Sequence, residues 1–352
     1  VSRRRSGATI RRLLGLVLLC SLLLTGCGRD PASGGQSVWV DEEVSFVADG
    51  LTLYGTYRHR SPGAPGPAAL LISESGATDR NGDNNVAGPI GNMRQLAEFL
   101  SEQGVASLRY DKVGTGSTGL GPYKANPADV GSAVYTDGAK AAVRFLAGRP
   151  GTDRISVYAS GEGTMHAMAL ADDTSGGAPT IHALGLLQPL AARYLDLISV
   201  RVSNDLAASV RSGTKTAQQA DQVLAAWRAA VTQVRAGGSA PATLPDGLSA
   251  ILNPGNAKAV AEADAIDPLD LAAGVPDGTP VLLSCSDSDA QASCSGIDPL
   301  AQALEHTALT LLELKGVNHV LRDDPTDNIA NYANKAPLSP QLTDALTVFV
   351  TK

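Results

Sequence analysis

Short apolar segments that recur between helix-like stretches constrain this 352-residue chain more than any other feature. Six of them, at 68–72, 105–108, 155–158, 183–187, 280–284 and 310–314, are apolar almost throughout rather than alternating. Strands of that kind are buried on both faces, as in a mostly parallel sheet between two helical layers. Helical spacing fits at 92–103, 129–147, 165–172, 299–305 and 339–350. Ahead of this alternation, 44–48 and 51–57 flank Asp49-Gly50, which predicts an antiparallel hairpin. The expected fold class is therefore α/β, with an N-terminal hairpin added to the parallel sheet.

The alternation stops between 188 and 273. Helical apolar spacing takes over there, with Leu195, Ile198, Val202 and Leu206 in one segment and Val223, Ala226, Trp227, Ala230, Val231 and Val234 in another. The core is thus expected to comprise 38–187 and 274–352, with 188–273 inserted as a helical cap. Such an insertion serves either as a lid over a site or as a decoration packed on the core, and both readings stay open.

Residues 1–26 hold five arginines and then a 12-residue apolar run, 13–24, followed by Thr25-Gly26-Cys27. A basic start, a short apolar stretch and small residues before a cut describe a secretory signal, and the run falls short of the ~20 residues that span a bilayer. Leu24-Thr25-Gly26-Cys27 resembles the bacterial lipobox, so Cys27 is the expected acylated first residue of an extracytoplasmic, membrane-anchored lipoprotein. Small polar residues at 27–37 suit a tether. Removing 1–26 takes five positive charges and no acid, so the net charge moves from −7 to −12, which gives no electrostatic reason to bind nucleic acid. In an oxidising compartment the close pair Cys285 and Cys294 is expected to be bridged.

The stretch 154–158 reads as a strand, and 159–169 as a tight turn entering a helix of small residues. Strand, sharp turn and helix make up the nucleophile elbow of serine hydrolases, G-x-S-x-G. Ala159 and Gly163 fill the two small positions, and the apex falls on Gly161, which has no side chain to attack anything. Shifting the frame to make Ser160 the nucleophile would place Tyr158 and Glu162 at the small positions. Ser160 then reads as a turn serine bonded to nearby backbone, or as the alternative nucleophile.

Other segments carry a family resemblance. Ser75-Gly76-Ala77-Thr78-Asp79-Arg80-Asn81-Gly82-Asp83 is similar to the G-S-G-P-x-D-R-D-G loop of the exported, esterase-like branch of the α/β-hydrolase superfamily, and Arg109-Tyr110-Asp111-Lys112-Val113-Gly114-Thr115-Gly116-Ser117 looks like its R-Y-D-K-R-G-x-G-x-S loop. The degraded elbow, Cys285-Ser286-Asp287-Ser288-Asp289 and Gly316-Val317-Asn318-His319 follow in the family's chain order, so the resemblance runs from about Val44 to Phe349. It implies an α/β-hydrolase fold, a carboxylic ester hydrolase type of site without cofactor, Asp289 as the acid and His319 as the base. Asp287 competes for the acid role as a solvated loop charge, while His59, His166, His182 and His306 have no partner pattern. No spacing supports a metal.

Ester hydrolysis needs a nucleophile, a base, a carboxylate to orient the base, and donors for the oxyanion. Around the expected oxyanion loop the chain reads Ser73-Glu74-Ser75-Gly76, where the family carries a histidine or a small residue and then glycine before its S-G pair. A Glu74 carboxylate facing the site would repel an oxyanion; facing away, it would meet solvent or Arg80. Glu74, Ser75, Gly76 and Glu162 are the candidate oxyanion or binding residues. Three readings follow: a lipid-anchored pseudo-hydrolase that binds a small acyl or lipid-like ligand or a partner, an active esterase using Ser160, Ser75 or a lid serine, and an enzyme using the His319/Asp289 dyad as a general base without serine.

Overall fold

The computed structural model describes residues 38–352 except Ala64, Ser75 and Ala290. The expected export signal, Cys27 and tether lie outside the described residues, as does Ser75.

Strands β1 (Val38–Ala48) and β2 (Leu51–Ser61) form the hairpin, turning through Asp49 at φ 45° and Gly50 at φ 83°. Two consecutive positive φ values give the primed turn whose twist matches that of paired strands, and Asp-Gly adopts it at low cost. Six further strands follow: β3 (Gly66–Ile72), β4 (Ala106–Tyr110), β5 (Thr152–Gly161), β6 (Ile181–Pro189), β7 (Pro280–Ser286) and β8 (Ala308–Leu314). They join one eight-stranded sheet in the order β1-β2-β4-β3-β5-β6-β7-β8, antiparallel through β2/β4 and parallel from β4 onward.

Side chains along the parallel strands divide between two cores. In β3, Ala68, Leu70 and Ile72 face one layer with β5's Val157 and Ala159, covered by α2 (Ser132–Ala147), α3 (Gly163–Ala171), α7 (Pro268–Gly274) and α8 (Asp298–Ala303). Ala69 and Leu71 face the other with Tyr158, covered by α1 (Asn92–Glu102) and α9 (Pro340–Phe349). Burial on both faces is the reason these strands read as continuous apolar runs.

The ends of some elements differ from the sequence expectation. β5 runs on to Gly161, so the apex residue itself closes the strand. The helix expected over 129–147 begins only at Ser132, because Pro127–Asp129 forms a separate 3-10 turn and Gly131 is extended. Within 188–273 stand α4 (Tyr194–Arg211), α5 (Ala217–Arg235), α6 (Ala257–Ala265) and α7. Leu195, Val202, Leu206, Val223, Trp227, Ala230, Val231 and Val234 form a third apolar cluster. Asp264 ties this region together, accepting from the backbone N–H of Leu195 at 2.9 Å and from Arg235 Nε at 2.7 Å.

Candidate active site

Four C-terminal strand ends bring the candidate residues to one edge of the sheet. β5 ends at Gly161, β3 delivers Glu74, β7 delivers Asp289 and β8 delivers His319. Open parallel sheets place sites at this edge because the loops leaving the strands converge there. The elbow keeps its backbone geometry. Gly161 has φ 52°, the left-handed conformation that glycine adopts without strain. Gly163 lies so close to β3 that a Cβ there would meet the carbonyl oxygens of Ile72 and Ser73, each at 2.9 Å.

Asp289 and His319 are paired. His319 Nδ1 lies 2.7 Å from Asp289 Oδ2, while Asp289 Oδ1 accepts from the backbone N–H groups of Gln291 at 2.7 Å and Ala292 at 3.1 Å. Both side chains are buried, with Asp289 1 % and His319 5 % exposed. Asp287 is exposed and accepts instead from the backbone N–H of Gly316 at 2.8 Å. The Cys285–Cys294 disulfide closes the loop that carries Asp289.

The space above Gly161 is filled by another residue's side chain. A Cβ built on Gly161 would fall inside the Glu74 carboxylate. Glu74 Oε2 lies 3.1 Å from His319 Nε2, and Glu74 Oε1 accepts from the backbone N–H of Glu162 at 3.2 Å. That N–H belongs to the residue after the apex, which supplies an oxyanion donor in a working elbow. The Glu74 carboxylate therefore holds both the nucleophile position and an oxyanion contact. The alternative pairing of Glu74 with Arg80 is not realised, because Arg80 donates to Asp111 Oδ2 at 2.9 Å and Glu43 Oε2 at 2.7 Å.

This arrangement favours the charged form of His319. Each ring nitrogen faces a carboxyl oxygen, and an ionised carboxylate only accepts, so the arrangement favours a ring with protons on both nitrogens. Burial by itself lowers the His319 pKa, but Asp289 and then Glu74 outweigh it and hold the pKa well above its usual value. A ring held protonated between two carboxylates is a weaker proton acceptor than the free base expected of His319 from the sequence.

Beneath the elbow, Lys112 Nζ donates to the Glu74 backbone carbonyl and lies 5.6 Å from the centre of the Tyr135 ring. Burial lowers the Lys112 pKa, opposed by Glu162 and Glu74. Burial raises the Glu162 carboxyl; Lys112 and the Gly76 amide oppose the rise, and Glu74 adds to it. Burial and the neighbouring Lys112 charge push His166 down to about 3, leaving it neutral, with Nδ1 2.9 Å from Thr136 Oγ1.

A cleft of about 330 Å³ opens beside the carboxylate, bordered by Glu74, Ser160 and His319 and by the apolar Ile90, Val320 and Ile329. None of the residues bordering it comes from 188–273. Ser160 borders the cleft, and the His319 nitrogens face Asp289 and Glu74 rather than its hydroxyl.

Solved structures similar to this chain include hydrolases. Est1E from Butyrivibrio proteoclasticus with ferulic acid bound superposes with a TM-score of 0.55 at 16% identity, covering 88% of this chain and 98% of that one. The Pyrococcus furiosus esterase Pf2001 gives 0.54 at 14% identity over 89% and 90%. A proline iminopeptidase from Mycobacterium smegmatis gives 0.53 at 16% over 88% and 98%. The fold is that of the α/β-hydrolases. No protein-family profile matches the chain, and no curated protein does.

Within this hydrolase fold, several supporting contacts escaped sequence reasoning. Arg80 and Asp111 join the two family-like loops, with the Arg80 backbone N–H reaching Asp111 Oδ1 at 3.0 Å and the Ser117 N–H reaching Asp111 Oδ2 at 2.7 Å. Asp327 accepts from the backbone N–H of His319 at 2.9 Å and from the Tyr332 hydroxyl at 2.6 Å. The fully buried Arg322 donates to the carbonyls of Ile90 and Tyr332 and braces the same loop. An arginine three residues past the expected base and an aspartate eight past it were the available signals in the sequence.

Proposed function

We propose that this chain is an exported, membrane-tethered protein that uses an α/β-hydrolase cleft to bind a small acyl or lipid-like ligand without hydrolysing it. The observation that carries this reading is the Glu74 carboxylate, which occupies the space over Gly161 and engages both His319 and the Glu162 N–H. Loss of the serine nucleophile alone costs on the order of 10⁶ in turnover in a serine hydrolase. Here an anion also stands where an oxyanion would form, which adds repulsion to that loss.

The two catalytic readings are less well supported. Esterase chemistry through Ser160 would need a free imidazole nitrogen near that hydroxyl, and both nitrogens face carboxylates. A serine-independent dyad would need neutral His319, against the two carboxylates that hold its proton.

The test is exposure of the purified protein to a fluorophosphonate probe and to p-nitrophenyl esters. No labelled residue and background hydrolysis are expected; a label on Ser160 or Ser75 would overturn the reading. Tethering is tested separately by lipid mass on Cys27 and by its loss, with release from membranes, in Cys27→Ala. Membrane retention without lipid on residue 27 would remove that part.

A further inference from the structure

Two of the donors that hold Glu74 make a two-point anion clamp. His319 Nε2 reaches one carboxylate oxygen at 3.1 Å and the backbone N–H of Glu162 reaches the other at 3.2 Å. One donor carries positive charge and the other is a fixed main-chain dipole, a combination that recognises a carboxylate in preference to a neutral carbonyl.

We propose that this clamp is a binding site for the carboxylate of an external monocarboxylic acid with a compact apolar tail, and that Glu74 is an intramolecular occupant which such a ligand displaces. The inference rests on the non-hydrolytic reading of the cleft and names the ligand class for it. Gly161 is then a requirement of the site rather than only a lost serine. A Cβ at that position would fall inside the bound carboxylate.

Glu74 is placed to leave. Its side chain is 23 % exposed, in contrast to Asp289 on the other side of the same imidazole. Its main chain stays anchored through the contact of Lys112 with the Glu74 carbonyl, so the side chain can swing out without moving β3. Gly76 beyond it has φ 62° and open space around it.

The cleft supplies what an external acid gains and Glu74 does not. It continues from the clamp past Ile90, Val320 and Ile329, and its volume of about 330 Å³ suits a small ligand. An apolar tail buried there offsets the advantage that Glu74 holds by being tethered beside its donors. A neutral ester or amide brings the same tail but no charge for the imidazolium.

The experiment titrates the purified chain calorimetrically with hexanoate and with hexanamide. The wild-type protein is expected to bind hexanoate more tightly than hexanamide, and Glu74→Gly to bind hexanoate at least tenfold more tightly than wild type with no such gain for hexanamide. His319→Gln added to Glu74→Gly should cancel the gain. The proposal is overturned if Glu74→Gly gains nothing for hexanoate, or gains equally for hexanamide, which would mean space alone was created. Should Glu74→Gly fail to fold, Glu74→Gln keeps the side-chain shape and removes the charge; at least a threefold gain for hexanoate is expected from it, and no gain overturns the proposal. Fluorophosphonate labelling would defeat the non-hydrolytic reading whatever the titrations give, whereas a silent probe with no hexanoate gain would defeat only the clamp.

Discussion

The two halves of the site compare differently with the dyad and elbow of a serine hydrolase. On the β7–β8 side, Asp289 and His319 keep a short contact, deep burial and a dense set of backbone donors. On the β3–β5 side the main chain has the elbow conformation, with Gly161 in the left-handed region and Gly163 against β3, but the side chains differ from those of a serine-hydrolase elbow. A glycine stands where a nucleophile would, and a glutamate from the neighbouring strand end fills the space. The contrast teaches that an elbow is specified by backbone conformation and close packing, whereas its chemistry depends on which side chain enters a volume of a few atoms. The same imidazole that would serve as a base beside a serine becomes a cation between two acids.

The largest effect should come from rebuilding the altered half. Gly161→Ser combined with Glu74→Gly is expected to hydrolyse p-nitrophenyl butanoate on the order of 10³-fold faster than the native chain, recovering part of the ~10⁶ that a missing nucleophile costs. Removing Glu74 also takes one carboxylate from His319, which favours its neutral, basic form. Gly161→Ser alone should stay at background, because its Cβ would overlap the Glu74 carboxylate. His319→Ala added to the double variant should return it to background. Equal activity of the single and double variants would show that Glu74 does not hold that space.

The retained half should respond through stability. Asp289→Ala leaves a buried imidazolium without its closest partner, and losses of about 3–5 kcal/mol accompany such breakage. Urea denaturation should register that loss, with a smaller one for Glu74→Gln because Glu74 is partly exposed. The reverse order would mean that the exchanged half contributes more to the fold than the retained one. Replacing Cys285 and Cys294 together by serine should cost about 2–3 kcal/mol in the same assay, by the chain-entropy relation for a short loop. Two free thiols in the native protein would remove that expectation.

The smallest effect concerns pH. The His319 pKa is raised in the folded protein, so its protonation stabilises the fold fully below the unfolded value of ~6.5, and this contribution is lost as pH rises through the folded value. The stability difference between wild type and His319→Gln should therefore be flat near pH 6 and shrink on the alkaline side. Imidazole NMR shifts should report a protonated ring at pH 7. A ring that titrates at or below its ordinary value would break the picture of an imidazolium held by two acids.

Much of this protein was determined by its sequence alone. Continuous apolar runs announced strands buried on both faces, Asp49-Gly50 announced the hairpin, and the small residues around Gly161 placed the apex. These are local properties, set by steric rules and by the period of the side chains along a strand or helix. The order of Gly161, Asp289 and His319 was equally legible, because each follows a strand and parallel strands present those ends at one edge. Packing, by contrast, settled where the ambiguous side chains went. Glu74 could face the site, the solvent or Arg80; Arg80 is taken by Asp111 and Glu43, while Glu74 meets a histidine 245 residues away. The helices of 188–273 were visible in their spacing, yet their absence from the cleft wall was not. Local periodicity says which face of an element is apolar, but the charge of His319 depends on carboxylates delivered by two other strands, and only the packed sheet brings those three together.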